Sequence, residues 1–169
     1  MKIIKILFVV LVLSITSITF FSCERDDFCV ENPVTPNLIL RFYDKDNVDN
    51  LKEAMRLSIT AQGLAAGDSI HQSITTDSIA IPLNSLTNET VFILKRNQTD
   101  SDVGMVGNET ATLTVKYMPE NEYVSRSCGY RVIYNNVTLE RDNGWISRLS
   151  VNEIESINSQ INAHVNIFH

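Results

Sequence analysis

From Leu38 onward, apolar side chains recur at every second position in one short segment after another, and that spacing commits the chain to β-structure. Leu38, Leu40 and Phe42 alternate with Ile39, Arg41 and Tyr43. Met55, Leu57, Ile59 and Ala61 alternate with Arg56, Ser58, Thr60 and Gln62, and Ala111, Leu113, Val115 and Tyr117 with Thr110, Thr112, Thr114 and Lys116. Successive side chains of a strand point to opposite faces, so each of these segments has one face to bury. Ile79, Ile81 and Leu83 make a further strand, which Pro82 places at a sheet edge or a strand end. Between Thr90 and Lys95, Val91 and Ile93 take one side and Phe92 and Leu94 the other.

The remaining segments read less cleanly. Ser69 to Ile74 is a short strand, and Asn97 to Asn108 a polar loop. Glu122 to Tyr134 reads as one long strand with a bulge near Gly129. Asp142-Asn143-Gly144 reads as a tight hairpin turn, because Asn-Gly reaches positive φ at little cost, and Trp145 and Ile146 then open the returning strand. Residues 150–162 admit two readings. Ser150 with Glu153 fits a capping box, and Ile154, Ile157 and Ile161 fit a helical face. The Asn, Ser and Ile content disfavours a helix, and favours a strand at Trp145–Val151, an irregular piece and a last strand at Ala163–Phe168. Seven to nine strands over residues 37–169 make an all-β domain, a single two-sheet β-sandwich of broadly immunoglobulin-like kind.

The first 22 residues have a different character. Lys2 and Lys5 precede an uncharged run from Ile6 to Phe21, diluted toward its end by Ser14, Thr16, Ser17 and Thr19. This is the layout of a secretory signal, shorter than the roughly 20 apolar residues a membrane-spanning helix needs. Ser22-Cys23 at its end resembles the lipobox of bacterial lipoproteins, in which cleavage precedes a cysteine that carries diacylglycerol and further acyl groups such as palmitate. Phe20 and Phe21 depart from that pattern, and an ordinary cleaved signal or an uncleaved anchor is the alternative. The expected organisation is a signal peptide at 1–22, a lipidated flexible tether at 23–36 and the sandwich at 37–169. Glu24-Arg25-Asp26-Asp27 behind the anchor resembles the export tag of surface lipoproteins in Bacteroidetes; its plainer reading is a solvated tether. The location expected is the cell envelope, in the outer membrane, with a surface-facing placement slightly favoured over a periplasm-facing one.

Outside the cytoplasm, Cys29 and Cys128 form an even remainder once Cys23 carries lipid, which points to a disulfide, with two independent thiols as the alternative. Loss of the signal removes two lysines and no acid, leaving 12 basic against 20 acidic side chains, a net charge of −8. Such a field repels phosphate backbones, so nucleic acid is excluded as a partner. The expected partners are the membrane, through the lipid, and an envelope protein or glycan.

Cys23 to Asp27 with Cys29, Leu38 to Asp44, Thr76 to Leu83, Ser125 to Tyr130 and Ala163-His164-Val165 together resemble a family of small Bacteroidetes lipoproteins catalogued only as a domain of unknown function. The resemblance implies an envelope location and a β-rich fold, and no activity.

Candidate chemistry is sparse. His71, His164 and His169 are the imidazoles able to serve as bases, and none sits in a nucleophile elbow. His164 and His169, five apart, point to opposite faces of a strand and read as half-exposed strand-end residues. Asp44, Asp46 and Asp49 are weak calcium ligands, since Val48 breaks the EF-hand spacing, and a solvated turn is the plainer reading. Arg126 and Tyr130 flank Cys128 as a ligand surface or as structural residues. Asp68-Ser69-Ile70 and Asp77-Ser78-Ile79 resemble acceptors for O-glycosylation in Bacteroidetes, at Ser69 and Ser78. No cofactor is expected. The leading reading is a non-enzymatic binding or scaffolding domain at the envelope. The alternative is a carbohydrate-binding module, calcium-assisted, in which Trp145 and the tyrosines stack on sugars. An enzyme of unfamiliar type stands third.

Overall fold

The computed structural model describes Cys29 and residues 35–65, 68–97, 109–142, 144–151 and 154–169. Residues 1–22, where an export signal is expected, Cys23, the acidic cluster behind it and most of the polar segment after Asn97 lie outside the described residues. The chain falls into two compact units, Val34–Tyr123 with Tyr130–His169, and Met1–Pro33 with Val124–Gly129.

Among the described residues there are ten strands and no helix. They are β1 (Leu38–Tyr43), β2 (Ala54–Ala61), β3 (His71–Thr76), β4 (Ser78–Ile81), β5 (Glu89–Arg96), β6 (Glu109–Ser125), β7 (Gly129–Arg141), β8 (Arg148–Val151), β9 (Ser156–Ile157) and β10 (Val165–Phe168). One sheet has the order β4-β1-β10-β8 and the other β3-β2-β5-β6-β7-β9. β1 and β10 are parallel, with Leu40 opposite Val165 and Phe42 opposite Ile167. Antiparallel pairing puts Leu40 opposite Ile79 between β1 and β4, and Phe92 opposite Leu113 between β5 and β6.

The two sheets make a β-sandwich whose core is the alternation read from the sequence. Leu38, Leu40 and Phe42 from β1 are fully buried with Ile81 from β4, Phe92 and Leu94 from β5, Ala111, Leu113 and Val115 from β6, and Ile167 from β10. A buried aliphatic or aromatic side chain contributes roughly 1.5–3 kcal/mol by leaving water, so this layer is the main cohesive term. Polar groups inside it are satisfied. Tyr117 Oη donates to Asn84 O at 2.8 Å and contacts Thr90 Oγ1, and Tyr134 Oη donates to Leu83 O at 3.1 Å. The Tyr117 and Tyr134 rings meet edge to face.

Several expectations need correction. Among the described residues the strands number ten, because two-residue β9 breaks the segment left open between helix and irregular chain. Met55 is exposed and Ala54 buried, opposite to the simple alternation. Arg56 has φ 48°, and the β2–β3 register shifts between Ala54 and Leu57, so a bulge inverts the first two residues of β2. Glu122–Tyr134 is two strands joined by a turn, with Gly129 (φ 73°) supplying the left-handed residue that ends it. The irregularity of β7 sits instead at Asn136 (φ 52°), where the buried positions pass from Tyr134 to Val137.

The hairpin expected around Asn-Gly is not formed: β7 belongs to the six-stranded sheet and β8 to the four-stranded one, so the chain crosses over between them. Trp145 and Ile146 are buried in that crossover, and β8 starts at Arg148. Edge-strand β4 ends at Ile81, immediately before Pro82, as the missing amide donor requires.

In the smaller unit, Cys29 and Cys128 form a disulfide with Cα atoms 4.8 Å apart. Cys128 N donates to Ser125 Oγ at 3.1 Å, which orders the turn.

Candidate functional site

The crossover between sheets leaves a cleft of about 520 Å³, lined by residues including Lys45, Lys52, Glu53, Met55, Arg96, Asn97, Glu109, Trp145 and His169. Arg96 ends β5 and Glu109 begins β6, and the two are cross-strand partners. The Arg96 guanidinium binds Glu109 Oε2 through Nε and lies 4.8 Å from the centre of the Trp145 ring. The hydrogen bond from Arg96 holds the Glu109 carboxyl below the usual carboxylate range, against the opposing effect of burial. Trp145 donates Nε1–H to Leu94 O at 3.0 Å, which fixes its ring.

His169 packs edge-on to Phe42 and Trp145 and is buried, not half-exposed as its place after a short strand suggested. Arg96 Nη1 lies 2.6 Å from His169 Nδ1. A guanidinium only donates, so Nδ1 accepts and Nε2 carries the proton, which it gives to Lys52 O at 3.2 Å. Burial lowers the imidazole's affinity for a proton, and the charges of Arg96 and Lys52 lower it further. Lys52 Nζ donates to His169 O at 3.1 Å and pairs with Asp44 Oδ2 at 3.1 Å. The wall of the cleft is thus built from paired charges and a neutral imidazole with both nitrogens in use.

The other histidines are hydrogen-bonded through their rings as well. His71 Nε2 donates to Ala80 O at 2.9 Å, linking β3 to β4 at the edges of the two sheets. His164 accepts from Ile39 N at Nδ1 (2.9 Å) and donates from Nε2 to Ser159 O (3.0 Å). Burial lowers its proton affinity as well.

Residues 56–169 of this chain, from the second strand onward, match the model of a protein family. The chain belongs to DUF6452, a family of unknown function. Among curated proteins and among solved structures nothing matches. The DUF6452 region takes in three of the segments that carry the resemblance, Thr76 to Leu83, Ser125 to Tyr130 and Ala163 to Val165; Cys23 to Asp27 and Leu38 to Asp44 precede it.

In this DUF6452 chain the aspartates of the β1–β2 connection do not form a cation cage. Asp44 Oδ1 accepts from Asp46 N at 2.8 Å and its other oxygen faces Lys52, and these bonds lower its proton affinity. Among the described residues no three carboxylate, imidazole or thiol groups converge on a metal position, Asp46 and Asp49 included. The Arg96 guanidinium lies over the Trp145 ring that the sequence offered as a stacking surface for sugars. Ser69 is exposed ahead of β3. Ser78 is half-buried in β4, its Oγ donating to Leu40 O at 3.3 Å. Arg126 is exposed in the β6–β7 turn, and Tyr130 is exposed in edge-to-face contact with Tyr123. Lys52, Arg96 and Glu109 were not singled out from the sequence. Arg96 and Glu109 end and begin neighbouring strands, a signal that becomes readable only once β5 is paired with β6.

Proposed function

We propose that this protein is a lipid-anchored lipoprotein of the cell envelope, of the small Bacteroidetes kind. It is held in the outer membrane through Cys23, and its β-sandwich binds a partner without transforming it. The observation that carries the binding reading is the cleft wall itself. Arg96 is already paired with Glu109, Lys52 with Asp44, and His169 with both neighbours, so the groups are fixed before any ligand arrives. Fixed polar groups around a concavity favour recognition, because little ordering cost remains to be met on binding. A general base needs a free lone pair beside a nucleophile, and the nitrogens of His164 and His169 are committed to structural hydrogen bonds. The anchor rests on the signal-like run before Cys23, and the acidic residues Glu24, Asp26 and Asp27 behind it favour the outer face.

Metabolic labelling with an alkyne fatty acid, followed by membrane fractionation, tests the anchor. Label on the wild type that disappears in Cys23→Ser supports it; unlabelled protein in the cytoplasmic fraction contradicts it. Titration of purified envelope polysaccharide or envelope protein fractions against the fluorescence of Trp145, the chain's single tryptophan, tests the cleft. A saturable change lost in Met55→Glu is the expected result, and saturable binding that leaves Trp145 unaffected would move the site elsewhere.

A further inference from the structure

The disulfide shortens the leash between lipid and domain. Cys23 and Cys29 are six residues apart in sequence, so whatever path the chain takes their Cα atoms lie within about 22 Å. The bridge adds 4.8 Å to Cys128. Without it, the tether to Leu38 would run fifteen residues, a reach of about 54 Å. Cys128 lies in the turn between β6 and β7. Tyr130 follows it by two residues and Tyr123 precedes it by five.

The two ends of β6 differ in character. From Glu109 to Tyr123 a strand rising 3.3 Å per residue covers about 45 Å. Glu109 lines the cleft with Arg96, while the far end carries Tyr123 against Tyr130, ring centres 5.4 Å apart. These tyrosines are 59% and 69% exposed, so two touching aromatic rings present an open surface. Their charged neighbours cancel, Arg131 Nε pairing with Glu122 Oε2 at 2.6 Å.

We infer that the Tyr123–Tyr130 end of the domain rests on the lipid headgroups of the anchoring membrane, and that the cleft is thereby held at the end of β6 away from it. The inference rests on the lipid anchor proposed at Cys23. A leash shorter than β6 makes the turn end the membrane end. Tyrosine suits that place, since its ring is apolar and its hydroxyl stays hydrated. The pair turns a loose tether into an oriented one.

The test uses acylated full-length protein, extracted from membranes and reconstituted in phosphatidylethanolamine–phosphatidylglycerol vesicles that contain a headgroup-nitroxide lipid. In the wild type, Trp145 reports the cleft and should keep its emission. In Tyr130→Trp, with Trp145 retained, the added emission should be quenched severalfold more strongly than that of Trp145. The preference should fall in the Cys29→Ser/Cys128→Ser background. Tyr123→Trp supplies the same reading should the first variant fold poorly. Equal quenching at the two ends, or none at the introduced tryptophan in protein whose acyl mass is confirmed, overturns the orientation and leaves the anchor standing. Unquenched tyrosines that instead bind purified surface polysaccharide overturn it in favour of a glycan platform. Protein without acyl mass overturns both readings.

Discussion

Ile39 and His164 are hydrogen-bonded in both directions: His164 N donates to Ile39 O at 2.9 Å, and Ile39 N donates to His164 Nδ1 at 2.9 Å. A backbone amide can only donate, so the fold requires a lone pair on Nδ1 and a neutral ring. His169 meets the same requirement from Arg96. Burial lowers the proton affinity of both rings below the ordinary 6.5. The sign follows from linkage. As pH falls below about 6.5 the unfolded chain takes up protons that the native state refuses, so stability is complete above that pH and declines as pH drops toward the folded values. Urea midpoints at a series of pH values from 7.5 to about 5 should fall, and His164→Asn/His169→Asn should flatten the trend. A flat profile in the wild type would contradict the assignment.

Gly144 has no room for a side chain. A Cβ there would lie 2.3 Å from Thr110 O and 2.6 Å from Ala111 Cα, both backbone atoms of β6. Gly144→Ala should therefore push the crossover off the sheet and cost about 1–3 kcal/mol or more, read as a lower urea midpoint with altered Trp145 emission. Stability equal to the wild type would mean that the crossover is not pressed against β6.

Tyr134 is the largest fully buried side chain among the described residues, and its hydroxyl is the partner of Leu83 O. Tyr134→Phe keeps the ring and strands that carbonyl, at a cost of about 1–3 kcal/mol. Burial pushes the phenol up to about 12. The native state therefore keeps this proton while the unfolded chain gives it up near pH 10, and the contribution to stability fades as pH rises from there. Ultraviolet titration of the folded protein should show a phenol that ionises near 12 and is missing in Tyr134→Phe. A loss of one ordinary phenol would count against it.

The disulfide closes a loop across 99 residues of sequence. Chain entropy alone assigns such a crosslink up to ~4.7 kcal/mol. Cys29→Ser/Cys128→Ser should lower the urea midpoint markedly and leave the strand content of the circular dichroism spectrum unchanged at low denaturant. An unchanged midpoint would show that the bridge adds nothing to the fold.

The sandwich was legible wherever alternation ran unbroken, as in β1 and β6, because a half-buried strand needs one apolar face. It failed where the backbone changes parity. Arg56 and Asn136 adopt positive φ without being glycine; arginine gives no sign of it, and asparagine, though it tolerates the left-handed region, is too frequent in this chain to mark one position. The Asn-Gly signal at 143–144 was real as a sequence and misleading as topology, since local turn chemistry does not record which sheet the next strand joins. The cleft was out of reach for a related reason. Arg96, Trp145 and His169 come from a strand end, a crossover and the residue after β10, and only long-range pairing brings them together. The cysteine pair needed no register, only a count and an expected location outside the cytoplasm.

The most direct single test is the intact mass of protein extracted from membranes, with and without reduction and thiol alkylation. A chain beginning at Cys23, carrying acyl mass and gaining two alkyl groups only after reduction, is the predicted result: one cysteine in lipid and two in the bridge. A chain that begins elsewhere, or that is alkylated without reduction, would contradict the lipid-anchored, disulfide-tied sandwich.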